Sequence, residues 1–339
     1  MIKEPPYTIS LKAADYLTKI AEAVTRLEYG SGFKRDIKLH RENRVRSIYS
    51  SLAIEGNTLS LDEVSDVIKG KLIAGKQAEI KEVKNAFEAY DKIMTFDPYE
   101  IKYFLQAHEF MTGGLVEEAG KFRSGDVGVF DGDVVVHMGA RPQFVPKLVE
   151  DLFTWAKDAE LHPLLKSAVV HCEIETIHPF ADGNGRMGRL WQTLILAKCN
   201  EVFAWIPMES LVYEKRPQYY DALQNAHRSN DSSGFIEFAL STILETVEEQ
   251  AVYQELHGSE HINEHINEHI NLADKAILDA MKSNPSTTNE ELSSALGKSR
   301  ATVSRSIKKL REAGFITRIG SNKTGYWEIK NNGLEDNGK

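Results

Sequence analysis

One short stretch interrupts a chain that is otherwise written for helix. From Leu11 to Gly258 apolar residues recur at helical spacing, except between Gly120 and Pro146, where Gly, Val, Asp and Pro replace the Ala/Leu/Glu/Lys mixture. There VGVF and DVVVHM flank Asp131-Gly132, which predicts a single β-hairpin. Helices are expected over Leu11–Tyr29, with Tyr16, Leu17, Ile20, Val24 and Leu27 on one face, and over Arg41–Ala53, Glu79–Met94 and Tyr99–Met111. They resume at Lys147–Ala159, Leu164–Ile177, Met187–Cys199, Gln218–Ala226 and Phe235–Gly258. Ser60 and Glu63 have the spacing of a capping box, so a further helix starts there. The expected class is mainly α, with one hairpin.

At 339 residues the chain is too long for one ordinary core. Its 42% hydrophobic and 27% charged residues fit a globular protein. No apolar run approaches the roughly 20 residues of a membrane helix, and MIKEPPYTIS lacks the pattern of a signal peptide. Two cysteines, Cys172 and Cys199, are too few for a disulfide framework. The expectation is a reduced, cytoplasmic protein without a membrane partner. The net charge of −9 is uneven: residues 272–330 carry +5 and residues 331–339 carry −1, leaving −13 to residues 1–271. An acidic body and a basic module can have different partners.

Between them lies a repeat, His-Ile-Asn-Glu, His-Ile-Asn-Glu, His-Ile-Asn, over residues 261–271. Four-residue spacing puts His261, His265 and His269 on one helical stripe. A solvated helical spacer is the preferred reading. A metal-binding face is the alternative, with no carboxylate or cysteine at a closed-site spacing to join it. The basic module then predicts helices over Ala273–Lys282, Glu290–Leu296 (capped by Thr288 or Asn289, ended by Gly297) and Arg300–Ala313 (capped by Ser299), and strands over Phe315–Ile319 and Tyr326–Ile329. This order resembles the winged helix-turn-helix. Val303, Ile307 and Leu310 would face its core, leaving Arg300, Thr302, Arg305 and Lys308 outward for DNA, with Lys323 at the wing tip. A winged helix used for protein contacts is the competing reading.

The densest chemistry is Ile177–Trp191, IHPFADGNGRMGRLW. Pro179 disfavours helix at His178, and a new helix begins near Asn184 to Met187. Gly183 and Gly185 around Asn184 let the backbone fold into an anion-binding nest that leads into a helix N-terminus. Arg186 and Arg189 add two permanently charged forks matched to phosphate oxygens. Asp182 is a hard oxygen ligand suited to Mg²⁺. His178 has the pKa range of a general base. Base, metal ligand and phosphate cradle within twelve residues point to a transferase acting on a nucleotide. No GK[ST] is present and the nest follows a helix, so this is not a P-loop.

His178 to Arg189 also resembles the Fic motif, HPFx[D/E]GNGRxxR, at every specified position. The resemblance extends over roughly residues 35–244. It implies a helical Fic fold with a β-hairpin flap, and transfer of AMP from ATP to a Tyr, Ser or Thr hydroxyl of a target protein, the chain itself included. His178 would be the base and Asp182 would hold Mg²⁺. Gly183, Asn184 (through its side chain) and Gly185 would line the anion hole. Arg186 would meet the β-phosphate region and Arg189 the γ-phosphate, while Phe180 anchors the loop. A relative that transfers the γ-phosphate has lysine at the position of Gly185, so glycine favours nucleotidylation. The strand from Asp133 to His137, including Val135 and Val136, would be the flap edge that docks the target, and Gly120 and Arg123 match the run into it. Tyr219-Tyr220-Asp221-Ala222-Leu223 resembles a family segment near the adenosine; His227 stands where some relatives have Asn. Many relatives self-associate, so a homo-oligomer is a further implication.

Ser51-Leu52-Ala53-Ile54-Glu55-Gly56 resembles the family's inhibitory motif, [S/T]xxxE[G/N], in the class that carries it before the core. A Glu55 carboxylate paired with Arg189 would take the cation the γ-phosphate needs. The expected organisation is residues 1–110 as a helical region with this motif, 111–258 as the core, 259–271 as the repeat, 272–330 as the winged helix and 331–339 as a tail. The leading expectation is a self-inhibited protein adenylyltransferase using ATP and Mg²⁺. The alternatives are a nucleotide-sensing transcription regulator and an enzyme acting mainly in removal of AMP.

Overall fold

Helical periodicity becomes helix in the computed structural model, which describes residues 4–30, 33, 36–131, 134–269, 272–312, 316–320 and 325–329. Contacts divide the chain into two units, Met1–Tyr253 and Gln254–Lys339. The first opens with α1 (Leu11–Gly30), α2 (Ile37–Ile54), α3 (Leu61–Ile68), α4 (Gln77–Lys92) and α5 (Ile101–Thr112). The hairpin follows as β1 (Gly128–Asp131) and β2 (Val134–Met138), then α6 (Val145–Asp158), α7 (Pro163–Ile177), α8 (Asn184–Cys199), α9 (Met208–Glu214), α10 (Arg216–Ser229) and the part of α11 (Ser233–His269) up to Tyr253. The protein is mainly α.

Local chemistry explains most boundaries. Ser60 and Glu63 form the expected capping box at the start of α3. Helix α2 begins at Ile37 rather than Arg41, because the Asp36 carboxylate accepts the Leu39 N–H at 2.9 Å and caps the earlier turn. Helix α9 was not expected; it is only seven residues long and follows Pro207. Helix α11 does not stop at Gly258 but continues to His269. One interior glycine costs a helix only about 1 kcal/mol. The repeat backbone is therefore helical as far as His269, while the side chains of His261, His265 and His269 lie outside the described ones. In the hairpin, β1 and β2 are antiparallel with a register shift between Val129 and Phe130. Gly132 and Asp133, named in the expected turn and strand, lie outside the described residues.

Helix α8 runs through the middle of the first core, and nearly all of its residues are buried. Trp191 is fully buried, meets Phe96, Phe104 and Phe153 in ring contacts, and donates its indole N–H to the Pro98 carbonyl at 2.9 Å. Helix α7 packs against α8 and is itself buried all round. Both cysteines are free thiols, Cys172 buried and Cys199 exposed. Among the described residues no helix is long and apolar enough to cross a membrane.

The second unit holds α12 (Leu272–Ser283), α13 (Asn289–Leu296), α14 (Arg300–Glu312) and the antiparallel pair β3 (Ile316–Ile319) and β4 (Tyr326–Ile329). Ile277, Leu278, Met281, Leu292, Val303, Ile307, Leu310 and Ile316 form its core. Thr288 with Glu291 caps α13, and Gly297 ends it in the left-handed conformation. The buried Asp274 carboxylate accepts from Lys309 Nζ at 2.9 Å, tying α12 to α14. The expected wing-tip Lys323 and the strand start Phe315 fall outside the described residues.

Candidate functional site

The turn between α7 and α8 concentrates the polar groups of the first core. Pro179 forbids a further helical turn, and His178 closes α7 in the left-handed region at φ 53°, an unusual conformation for a residue with a side chain. The half-buried imidazole has Nδ1 3.4 Å from the Glu175 carbonyl. A proton on Nδ1 would point there and leave the ring's lone pair on Nε2.

The loop beyond is clamped from within. Phe180 is fully buried and stacks on His108, with centroids 3.7 Å apart and planes at 6°. His108 is buried too. Its Nδ1 accepts the Gly120 N–H at 3.0 Å and its Nε2 lies 3.0 Å from the Asp182 carbonyl, so the neutral ring uses both nitrogens. Burial lowers its pKa to about 4, which keeps it neutral. The Asn184 carboxamide, expected at the anion hole, is engaged with the turn itself: it accepts the Phe180 N–H and donates to the Phe180 carbonyl, both at 2.9 Å. Side-chain capture of both backbone groups fixes the turn.

Gly183, at φ 87°, is the N-cap of α8 and supplies no side-chain cap. The first backbone N–H groups of α8 are therefore available to an anion. Asp182 stays 62% exposed, its Oδ1 accepting from Gly183 N–H at 2.6 Å and from Arg186 Nη2 at 3.1 Å. Arg186 is 4% exposed, reaches Glu82 at 3.7 Å and has a buried Nε without a hydrogen-bond partner.

Arg189, one turn further along α8, is 3% exposed. Its Nε donates to Ser51 Oγ at 3.2 Å, and its Nη2 donates to the Ser51 carbonyl at 3.0 Å and to Glu55 Oε1 at 2.7 Å. Its Nη1 is buried without a partner. Burial works against the charge, yet Glu55 outweighs it and holds the guanidinium above its ordinary pKa. Glu55 sits at the C-cap of α2. Its carboxylate lies over Gly185: a Cβ there would collide with Glu55 Oε1 and come within 3.1 Å of Arg189 Nη1. A carboxylate of the chain itself thus rests on the N-terminus of α8, beside two buried guanidinium nitrogens with donors to spare. That is the chemistry of an anion cradle, and phosphate oxygens fit the same donors.

Other expected residues are placed differently. Tyr219 is 1% exposed, with its hydroxyl 3.0 Å from His171 Nε2 and 3.3 Å from Glu175 Oε1. It lies under the cradle rather than open to a nucleotide, because α10 turns this residue toward α7. Tyr220, 47% exposed, is the accessible member of the pair and donates to the Ile54 carbonyl at 3.4 Å. Val135 pairs with Phe130 in the hairpin backbone, while the side chains of Val135 and Val136 lie outside the described ones. In the second unit Arg305 and Lys308 are exposed on α14 and Thr302 is half-buried. Arg300 is exposed but hydrogen-bonded to Glu290.

Sequence reasoning missed His108 and Glu175. Burial raises the Glu175 carboxyl to about 7, with Arg189 pulling the other way and Glu55 adding to the rise. The signal for both was a polar residue on a helix face with no visible surface role.

Comparison with known proteins follows this geometry. Residues 98–196 match the Fic/DOC family, and residues 270–317 match a winged helix-turn-helix DNA-binding family. The protein adenylyltransferase Fic of Nematostella vectensis is 33% identical over 216 residues, covering 60% of this chain and 47% of that protein. The protein adenylyltransferase fic-1 of Caenorhabditis elegans is 28% identical over 223 residues, covering 61% of this chain and 41% of that protein. The chain thus spans less than half the length of these curated relatives. A crystal structure of a Fic family protein from Desulfovibrio desulfuricans G20 superimposes with a TM-score of 0.73 at 36% identity, covering 98% of this chain and 100% of that one. With the clamped His178–Arg189 turn and a likeness that runs the length of both chains, this protein belongs to the Fic family.

Proposed function

We propose that the chain is a self-inhibited protein adenylyltransferase that transfers AMP from ATP to a Tyr, Ser or Thr hydroxyl of a protein, its own chain included. The observation that carries the proposal is the Glu55 carboxylate, 2.7 Å from Arg189 and lying over Gly185 in the anion cradle. A phosphate would claim the same donors, so the carboxylate and the nucleotide compete.

In this reading His178 Nε2 takes the proton of the target hydroxyl as the oxygen attacks the α-phosphorus. The bond to the β-phosphate oxygen breaks, and pyrophosphate leaves. The first N–H groups of α8, Arg186 and Arg189 orient the phosphates and offset their charge. Asp182, exposed at the edge of the loop, is the residue suited to hold Mg²⁺, which would neutralise phosphate charge. Glu55 on Arg189 denies the γ-phosphate its partner, so ATP binds weakly or in a pose wrong for in-line attack.

His178→Ala in a Glu55→Gly background tests the assignment of the base. Transfer of label from α-labelled ATP to protein should be lost while Mg-ATP binding is kept, because the cradle does not use the imidazole. Labelling at the rate of the Glu55→Gly parent would remove His178 from the reaction.

A second reading concerns the second unit. Its match to DNA-binding winged helices and the exposed Arg305 and Lys308 on α14 support DNA as a partner of that unit. The partner of the first unit would be the target protein.

A further inference from the structure

We infer that Arg123 is a positioning residue that locks the transferring His178 to both roots of the hairpin, so that base and target-docking strand move as one body. The inference rests on the adenylyltransferase reading above, and it concerns a side chain to which that reading gives no part.

Arg123 lies outside any helix or strand, in the run between α5 and β1, yet only 2% of it is exposed. Burial works against this guanidinium's charge and the Asp126 carboxylate nearby supports it, but its hydrogen bonds go to main-chain carbonyls. Its Nε donates to the His178 carbonyl at 2.6 Å, and its Nη1 to the Gly125 carbonyl at 2.7 Å. Its Nη2 donates to the Ala140 carbonyl and reaches the Ile177 carbonyl at 3.5 Å. Its own backbone N–H donates to the Pro179 carbonyl at 3.1 Å. These acceptors come from three segments. Gly125 precedes β1, Ala140 follows β2, and Ile177 to Pro179 form the end of α7.

Each acceptor needs this donor for a physical reason. The last carbonyls of a helix have no intrahelical partner, and α7 ends here with its negative dipole end buried. His178 is held at φ 53°, a left-handed conformation that a residue with a Cβ keeps only when its surroundings enforce it. The Arg123 fork caps those carbonyls and secures the strained peptide. The same fork bridges the hairpin's two ends, reinforced by Gly139 N–H to the Val127 carbonyl at 3.1 Å and Ala140 N–H to the Ile177 carbonyl at 3.3 Å. No other side chain in the described contacts joins α7's end to both hairpin roots. A lysine ammonium cannot reproduce a planar fork directed at three separated carbonyls.

The phosphate cradle is held independently, by Asn184, Phe180 and His108. The consequence is a split. Disturbing Arg123 should misplace the base against the docked hydroxyl while leaving nucleotide binding in place. A displacement of about 1 Å in such a geometry costs on the order of 100-fold in rate.

The experiment compares the Glu55→Gly protein with the same protein carrying Arg123→Lys or Arg123→Gln. It measures Mg-ATP binding, the rate of self-labelling at saturating ATP, and amide hydrogen exchange at Gly139 and Ala140. The expected result is a 10- to 100-fold slower transfer in both variants, Mg-ATP affinity within about twofold of the parent, and faster exchange at the two hairpin-root amides. Transfer within threefold of the parent would overturn the inference. So would loss of Mg-ATP binding or of folding together with transfer, since that assigns Arg123 to stability alone. A Glu55→Gly parent that labels nothing would strike the adenylyltransferase reading rather than Arg123.

Discussion

Replacing Glu55 by glutamine should make the protein less stable and a better nucleotide binder at once. The side chain keeps its shape but loses the charge that faces Arg189 at 2.7 Å. Removing one partner from a fully buried pair costs about 3–5 kcal/mol. Two features reduce that figure here: Glu55 is 34% exposed, and Ser51 still accepts two hydrogen bonds from Arg189. About 2 kcal/mol is the resulting cost, which for a unit of this size corresponds to a fall of about 4–8 °C in Tm. Nucleotide that no longer has to displace the carboxylate should recover the same 2 kcal/mol, an affinity gain of about 30-fold. Thermal unfolding of the first unit with and without Mg-ATP, paired with titration of Mg-ATP binding, measures both effects. The variant should melt lower than wild type alone and shift further upward on adding nucleotide. Equal Tm values with equal affinities would show that the Glu55–Arg189 pair stabilises nothing that nucleotide must break.

Two further outcomes are expected. Burial holds the Glu175 carboxyl near 7, above its ordinary 4.5, so its contribution to stability is full below about pH 4.5 and lost as pH rises through 7. The stability of wild type relative to Glu175→Gln should therefore fall by about 3 kcal/mol between pH 4.5 and pH 7.5 in denaturant unfolding; parallel curves would contradict the assignment. In the second unit, Arg305→Ala and Lys308→Ala should each weaken DNA binding across sequences and reduce the salt slope by about 1 per phosphate contact, measured by titration at several salt concentrations. Unchanged affinity in both would point α14 toward protein contacts.

What was legible in the sequence was the chemistry carried by neighbours. His178 through Arg189 lie in one turn and the first turns of one helix, so their spacing alone describes a cradle. The hairpin announced itself by its change of residue types, and the capping box at Ser60 by its spacing. Side-chain direction was not legible where helices are buried all round. Helix α7 presents no polar face to orient it, so periodicity could not tell that Glu175 would sit beneath the Arg189 charge. Asn184 shows a related limit: residue type predicts a donor near the anion, whereas the nearest backbone groups, those of Phe180, captured its amide. His108 and Arg123 act through contacts 74 and 55 residues away, which no local pattern contains. The Glu55–Arg189 pair, 134 residues apart, was reached through family resemblance, and its geometry emerges only in the fold.

The central claim is that the chain's own carboxylate restrains an AMP-transferring site. It is tested most directly by incubating wild type and Glu55→Gly with α-labelled ATP and Mg²⁺ and following label covalently bound to protein. The account predicts strong self-labelling of the variant and little of wild type. Equal labelling of the two would contradict the brake, and absence of label from both, with ATP bound, would contradict the transferase.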